Sequence, residues 1–256
     1  MLTKDRVVNL VAVRLKSTRL PGKALLLLQG KPVLGHLMDR VSRSNIPEKT
    51  VICTSTHSQD DAICEFAMTN NSSFFRGHPE NVLLRFIEAA EEHSASHIVR
   101  ITGDNPLTDP FLIDEMIEKH LREQADYTYT EDTPRGTRPE IFSVVALKKC
   151  LELAEDPNYS EYMTLYFKDY PQVFKNVRYS CLSDKYRRPD YIVTIDTPED
   201  FDVVKKIYDA LYPINDGFTL LDVIDFLDNR SEIRHDDRKK KPIDLSSINT
   251  KLRIGS

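Results

Sequence analysis

Short apolar runs of strand length alternate with longer segments of helical period along most of this chain, and that alternation restricts the fold more than any other feature. The strand-like runs are Val7–Val13, Thr50–Thr54, Ser73–Phe75, His97–Thr102, Tyr127–Thr130, Val173–Tyr179 and Tyr191–Ile195. Helical patterns lie between or after them at Val33–Ser44, Asp60–Asn70, Asn81–His93, Pro110–Glu123, Val144–Glu155, Asn158–Lys168, Pro198–Leu211 and Leu220–Asn229. Strands joined by crossover helices predict an α/β fold with a mostly parallel sheet covered on both faces. The start of one helix is well signalled. Thr197 supplies an N-cap, Pro198 a first-turn proline, and Glu199 and Asp200 the acids that the positive end of the helix dipole favours. From Tyr127 to Tyr179 the rhythm breaks, so that stretch reads as an insertion carrying a smaller sheet or lid. The expected organisation is therefore one domain over 1–215, with an insertion at about 127–180, and then a C-terminal helix and charged tail over 216–256. The basic run Arg238-Lys239-Lys240-Lys241 in that tail reads as a solvated segment.

Charge and cysteine content narrow the functional classes. With 35 Lys and Arg against 40 Asp and Glu the net charge is −5, which argues against a general nucleic-acid coat but leaves room for a local basic pocket. No run approaches the roughly 18–20 apolar residues of a membrane span. Met1–Val13 holds one short apolar run followed by Arg14 and Lys16, unlike a secretory signal. Cys53, Cys64, Cys150 and Cys181 are scattered with no C-x-x-C pair, so neither a disulfide scaffold nor a zinc ribbon is expected. His93 and His97 straddle a helix end and a strand start and make a poor zinc pair. These features together lead us to expect a soluble cytoplasmic protein.

The densest chemical signal follows the first strand. In Val11-Ala12-Val13-Arg14-Leu15-Lys16-Ser17-Thr18-Arg19-Leu20-Pro21-Gly22-Lys23, four cations fall within ten residues of a loop leaving the C-terminal end of a buried strand. Ligands of open α/β sheets bind at that end. Backbone N–H groups, hydroxyls and Arg/Lys side chains in such a loop suit a polyphosphate, although a solvated basic turn has the same composition. Neither G-x-x-x-x-G-K-[ST] nor G-x-G-x-x-G is present, so this is not a P-loop or a dinucleotide fingerprint. Further on, Asp104 follows the strand His97–Thr102 and Asp196 follows Tyr191–Ile195. Two carboxylates at neighbouring strand ends, facing a phosphate loop, are what Mg²⁺ takes when phosphates and water complete its octahedron. Each also has a plainer reading, Asp104 as a turn residue before Asn105-Pro106 and Asp196 as a helix N-terminal acid.

The segment R-x-x-S-x-R-L-P-G-K, Arg14 to Lys23, with Gly30-Lys31-Pro32 after it, resembles the nucleotide loop of sugar-acid cytidylyltransferases. These are the enzymes that make CMP-Kdo and CMP-sialic acids. The likeness is closer to the spore-coat-polysaccharide (SpsF-like) branch, and it runs collinearly over about residues 7–211. It includes Thr54-Ser55 with Asp60-Asp61, Arg76-Gly77 through Arg85, Arg100-Ile-Thr-Gly-Asp104-Asn-Pro106, Pro134-Arg135-Gly136 through Glu140-x-Phe142-Ser143, and Thr194-x-Asp196-Thr-Pro-Glu-Asp200. The resemblance implies a three-layer α/β/α, Rossmann-like nucleotide-diphospho-sugar transferase (GT-A-like) fold with a mostly parallel sheet and a small inserted dimerisation or acceptor subregion. It further implies CMP transfer from CTP to a sugar-acid hydroxyl, with Mg²⁺ or Mn²⁺ held by Asp104 and Asp196.

Under the same resemblance Arg14, Lys23, Asp104 and Asp196 are the catalytic set. The nucleotide would be held by Val11, Ala12, Val13, Arg14, Ser17, Arg19, Lys23, Ser55, Arg76, Gly77 and Arg85. Gly77 would let the backbone approach the nucleotide, while Arg85, inside a helix, reads equally as a surface salt bridge. Arg135 and Arg138 would grip an acceptor carboxylate, with Glu140 taking a sugar hydroxyl, unless that segment is only a charged hairpin loop. The implied partners are CTP, a small sugar acid and a second copy of the chain, with no nucleic acid and no membrane. The chain departs from the branch at Glu161-Tyr162-Met163-Thr164, where Glu-His often precedes the threonine, and at Arg138-Pro139. Two other classes remain open: a glycosyltransferase of related fold, which would want an Asp-x-Asp that Gly103-Asp104-Asn105 does not supply, and a nucleotide-binding module without turnover.

Overall fold

Strand β1 (Val7–Ala12) is the axis of the molecule because it is buried on both faces and paired on both edges. The computed structural model describes residues 5–157, 162–181, 183–233 and 250–253. In chain order the further strands are β2 (Leu27–Leu28), β3 (Lys31–Pro32), β4 (Lys49–Ser55), β5 (Ser73–Gly77), β6 (His97–Thr102), β7 (Tyr127–Tyr129), β8 (Glu140–Ser143) and β9 (Asn176–Arg178). The helices are α1 (Val33–Val41), α2 (Asp61–Thr69), α3 (Val82–Glu92), α4 (Pro110–Glu123), α5 (Val144–Leu153), α6 (Met163–Asp169), α7 (Pro198–Leu211) and α8 (Leu220–Asp228). The described strands form a central sheet in the order β5-β4-β1-β6-β8-β7-β9, beside a small β2-β3 hairpin. Within the central sheet β8 runs against both its neighbours, and the other pairings are parallel.

Side chains of β1 alternate between two cores, as the two-residue period of a strand requires. Val8 and Leu10 pack with Leu83 and Phe86 of α3, Leu147 of α5 and Phe167 of α6. Val7 and Val11 pack on the other face with Leu34 and Leu37 of α1, Ile63 of α2 and Ile113 of α4. A third cluster joins α7 and α8 to the 191–195 segment through Val193, Ile195, Val204, Ile207, Val223 and Ile224. The three layers are those the alternating pattern predicts, and the four cysteines are buried, with burial pushing the Cys53 thiol up to about 12.

Two expectations change. The 127–180 stretch does not carry a smaller sheet: β8, β7 and β9 extend the central one, because β8 finds a free edge on β6 in the register Arg100↔Glu140. Tyr191–Ile195 is not a ladder strand. Its backbone bonds go to different segments, from Arg135 N to Tyr191 O, from Val193 N to Arg135 O and from Ile195 N to Asp104 O, so no partner runs beside it long enough. The β2-β3 hairpin carries no alternation that would have announced it. Of the expected helix Asn158–Lys168, residues 158–161 lie outside the described residues, as does the basic run 238–241.

A buried histidine chain crosses from β6 through α4 to β7. His97 Nδ1 lies 3.0 Å from His120 Nε2, and His120 Nδ1 lies 2.8 Å from Thr128 Oγ1. Burial lowers both imidazoles, His120 to about 3. Once unfolded, each returns to about 6.5, so the unfolded chain binds more protons between about pH 6.5 and 3. Stability is full above that window and falls as pH drops through it. We expect acidification across it to cost on the order of a few kcal/mol in wild type. Denaturant unfolding over a pH series should show a shallower slope in His120→Gln. Parallel slopes would exclude this chain as the acid-sensitive element.

Candidate active site

The loop after β1 is held by groups outside the cavity it borders. Val13 N donates to Cys53 O at 3.1 Å, Leu15 N donates to Asp60 Oδ1 at 2.8 Å, and Gly22 N closes the loop onto Leu15 O at 3.3 Å. Gly22 takes φ +67, a left-handed turn that suits glycine, and so starts the short helical turn Lys23–Leu25. Ser55 Oγ donates to the second Asp60 oxygen, and Arg76 ties Ser55 O and His57 O while pairing with Asp61 at 2.8 Å. Ser55 and Arg76 are thus scaffold for the loop rather than part of the cavity lining, and Val11 lies in the core.

A cavity of about 390 Å³ opens beneath the loop at the C-terminal ends of β1 and β6. It is lined by Ala12, Val13, Ser17, Thr18, Ala24, Val82, Thr102 and Gly103, by the cations Arg14, Lys16, Arg19, Lys23, Arg85 and Arg100, and by the acids Glu80, Asp104 and Asp196. The excess of cations over acids suits a polyanion. The N-terminus of α3 adds to it at Val82, next to an Asn81 cap whose side chain accepts from Leu84 N at 2.9 Å.

Lys23 joins the two aspartates. Its Nζ donates to Asp104 Oδ2 at 2.6 Å, to Ile195 O at 2.7 Å and to Asp196 Oδ1 at 3.1 Å, which uses the three donors of an ammonium. Arg19 Nη2 approaches the same Asp196 oxygen at 3.1 Å. Asp104 is oriented from its own strand: Thr102 Oγ1 donates to Asp104 Oδ1 at 2.6 Å, and Asn105 Nδ2 donates to Thr102 Oγ1 at 2.7 Å. The cap of α7 is Thr197 with Asp200 in a capping box. This leaves the Asp196 carboxylate for Lys23 and Arg19, so the plainer turn and cap readings of the two aspartates do not describe where their side chains go. Among the described residues no group of three or more His, Cys, Asp or Glu gathers as a metal cage.

The remaining expected residues divide. Arg14 donates to Pro79 O at 3.0 Å on the cavity wall. Arg85 is no surface ion pair; it is 1% exposed, lines the cavity and donates to His78 O at 3.1 Å. Gly77 makes room for that arginine rather than for a ligand, since a Cβ there would stand 2.7 Å from Arg85 Cγ. Arg135, Arg138 and Glu140 are outside the cavity lining. Arg138 donates through Nε to Thr133 O at 2.7 Å and through Nη2 to the same oxygen, and burial lowers its pKa. Glu140 pairs with Arg100 and accepts from Tyr127 OH, whose pKa burial raises. The guanidinium of Arg138 is thus engaged by its own loop, which does not fit the carboxylate grip expected of it. The 134–138 loop braces the segment that carries Asp196: Gly136, at φ +104, sits so close that a Cβ would lie 2.4 Å from Thr194 N. Sequence reasoning gave no role to Lys16, Thr18, Glu80, Val82, Arg100 or Thr102. Strand alternation puts 100, 102 and 104 on one face, which would have found Arg100 and Thr102.

Comparison with known proteins matches the chain to the cytidylyltransferase family model over residues 8–220. It is 35% identical over 207 residues to the spore coat polysaccharide biosynthesis protein SpsF of Bacillus subtilis, covering 79% of this chain and 86% of the relative. A 3-deoxy-manno-octulosonate cytidylyltransferase of Pelobacter propionicus is 28% identical over 189 residues, covering 70% of this chain and 67% of that one. The solved structure of a cytidylyltransferase from Leptospira borgpetersenii superposes with a TM-score of 0.82 at 29% identity, covering 93% and 99% of the two chains.

The brace at Gly136 is testable. Gly136→Ala combines a positive φ with a backbone clash and should cost about 1–3 kcal/mol of stability. It should also displace Asp196, and a shift of about 1 Å near a reacting centre costs on the order of a hundredfold in rate. Gly22→Ala, with open space around its Cβ, should cost only about 1 kcal/mol. Equal effects in thermal melts and turnover would show that the 134–138 loop does not position Asp196.

Proposed function

This chain belongs to the cytidylyltransferase family and is a CTP-dependent nucleotidyltransferase, and from that premise we propose that it transfers CMP to a hydroxyl of a sugar acid of the Kdo or nonulosonate type, releasing pyrophosphate. The observation that carries the reading is the meeting of Lys23, Asp104 and Asp196 at the mouth of a cation-lined cavity. Surface-polysaccharide synthesis is the setting we propose, in line with the printed name of the Bacillus subtilis relative. A cytoplasmic homodimer is part of the same proposal, by resemblance to the family.

The two aspartates fit a hard divalent ion. Their carboxylates converge on one point, and Mg²⁺ is ordinarily held by one or two carboxylates with phosphate oxygens and water completing its shell. Mg²⁺, or Mn²⁺ in its place, would be held by Asp104 and Asp196 and when bound supplies charge neutralisation at the phosphoryl oxygens. Arg14, Arg19 and Lys23 bind the triphosphate and oppose the charge that builds on the departing pyrophosphate. The backbone at Ala12 and Val13, with Ser17, borders the cavity and would read the nucleoside. Thr102 and Asn105 keep Asp104 in one orientation, which favours in-line attack of the acceptor hydroxyl on the α-phosphorus. An acidic acceptor and a triphosphate repel each other, and the excess of cations around the cavity offsets that repulsion. Arg100, paired with Glu140, and Arg85, donating to His78 O, add positive charge to the cavity wall outside the loop.

Two measurements test this reading. CTP with Mg²⁺ should raise the melting temperature clearly more than ATP or GTP, by linkage worth about 2.7 kcal/mol at a hundredfold excess over the dissociation constant. Equal shifts from all nucleotides would leave only a general phosphate site. Pyrophosphate release with a panel of sugar acids should fall by most of its rate in Asp104→Asn and in Asp196→Asn, and the double variant should cost scarcely more than the worse single one. Each single change should also lower stability modestly, since Lys23 loses an anion. Near-wild-type turnover in either variant would remove that aspartate from the mechanism.

A further inference from the structure

Lys23 Nζ occupies the point between Asp104 Oδ2 and Asp196 Oδ1. A divalent ion bridging those two oxygens needs the same point. We propose that Lys23 is a built-in competitor of the metal: ammonium and divalent ion exclude one another at the aspartate pair, and the triphosphate decides the exchange by offering Lys23 other oxygens. The inference rests on the cytidylyl-transfer reading for the identity of that displacing ligand. Metal and nucleotide then bind as one event, and free divalent ion alone is a weak ligand.

Several features carry this. The contacts satisfy all three ammonium donors, including one to Ile195 O, so Lys23 is held at that point and not merely nearby. Its side chain is 14% exposed and the two aspartates 22% and 27%, so solvent screens the attraction only partly. Arg19, at 3.1 Å from the same Asp196 oxygen, adds a second cation, and the two cations balance the two carboxylates. A divalent ion approaching this neutral cluster gains little unless a cation leaves. Lysine suits the exchange because its charge is compact and its four-carbon stem swings freely, whereas the planar fork of an arginine is harder to re-aim. The stem rises from a turn set by Gly22, within the same loop that borders the cavity.

The test uses Mn²⁺ as the probe, followed by electron paramagnetic resonance in the absence of nucleotide, with the full chain as wild type, Lys23→Met, Arg19→Met and the double variant Lys23→Met, Asp104→Asn. Methionine keeps the length of the stem and removes the charge. Lys23→Met should bind Mn²⁺ on the order of tenfold tighter than wild type, the scale on which one adjacent charge shifts a neighbouring equilibrium. The gain should disappear in the double variant, and Mn²⁺ alone should raise the melting temperature of Lys23→Met but scarcely that of wild type. If Lys23→Met does not fold, Arg19→Met, at a half-exposed position, should move Mn²⁺ affinity in the same direction by less. Unchanged or weaker Mn²⁺ binding in the folded lysine or arginine variant overturns the proposal, as does a gain that survives Asp104→Asn. Such a result with CTP turnover intact in wild type sinks the exchange alone; absent turnover in wild type with every sugar acid sinks the functional reading instead.

Discussion

One ammonium group ties the working end of this molecule together. Lys23 reaches carboxylates 81 and 173 residues further along the chain, together with the carbonyl just before the second of them. Breaking a well-hydrogen-bonded, partly buried ion cluster by removing one member is far more costly than the net worth of the cluster, because the remaining charges lose their partners. The β1 loop, the end of β6 and the 195–196 segment are therefore tied to one another by side chains that line the cavity. Scaffold and site are the same contacts here.

Around that cluster two braces act without entering the cavity. Ser55, Asp60 and Arg76 hold the loop after β1 from the β4 side through backbone acceptors and donors. Gly136 holds the 191–195 segment from the β8 side by letting two backbones touch, and Arg138 closes the loop that carries that glycine by binding Thr133 O. Both sets look like ligand residues in sequence because arginine, serine and glycine are the usual vocabulary of phosphate sites. Their hydrogen bonds show that the same donors can be consumed by backbone carbonyls.

What was legible in the sequence followed from periodicity and chain order. The placement of β1, β6 and α4 came from two- and 3.6-residue periods long enough to be unambiguous. Asp104 and Asp196 were found because each follows an apolar run, and in the second case the run served even though it forms no ladder. What stayed illegible depended on contacts distant in sequence. Nothing local to Tyr127–Tyr129 or Asn176–Arg178 states that they pair with each other in parallel across 49 residues, which adds Asn176–Arg178 to the central sheet. The direction of the Arg138 side chain, the burial of Arg85 and the space Gly77 leaves for it likewise depend on partners no window contains. Arg100 was quoted within a motif yet given no role, because a motif names residues in a row whereas a strand shows the cavity only every second one.

The reversal of β8 has a consequence for how such a site can change over time. Because β7 runs with β6 and β8 runs back, the connection 130–139 turns over at the same edge as the loop after β1, where a parallel crossover would have begun β8 at the opposite edge. The connection can thus be lengthened or shortened on either side of 134–138 while the register of the two strands is untouched. Doubling such a connection costs only about 0.6 kcal/mol of closure entropy. The contact of Gly136 with Thr194 ties that turn to the segment carrying Asp196, so added residues are tolerated on either side of the contact and not within it.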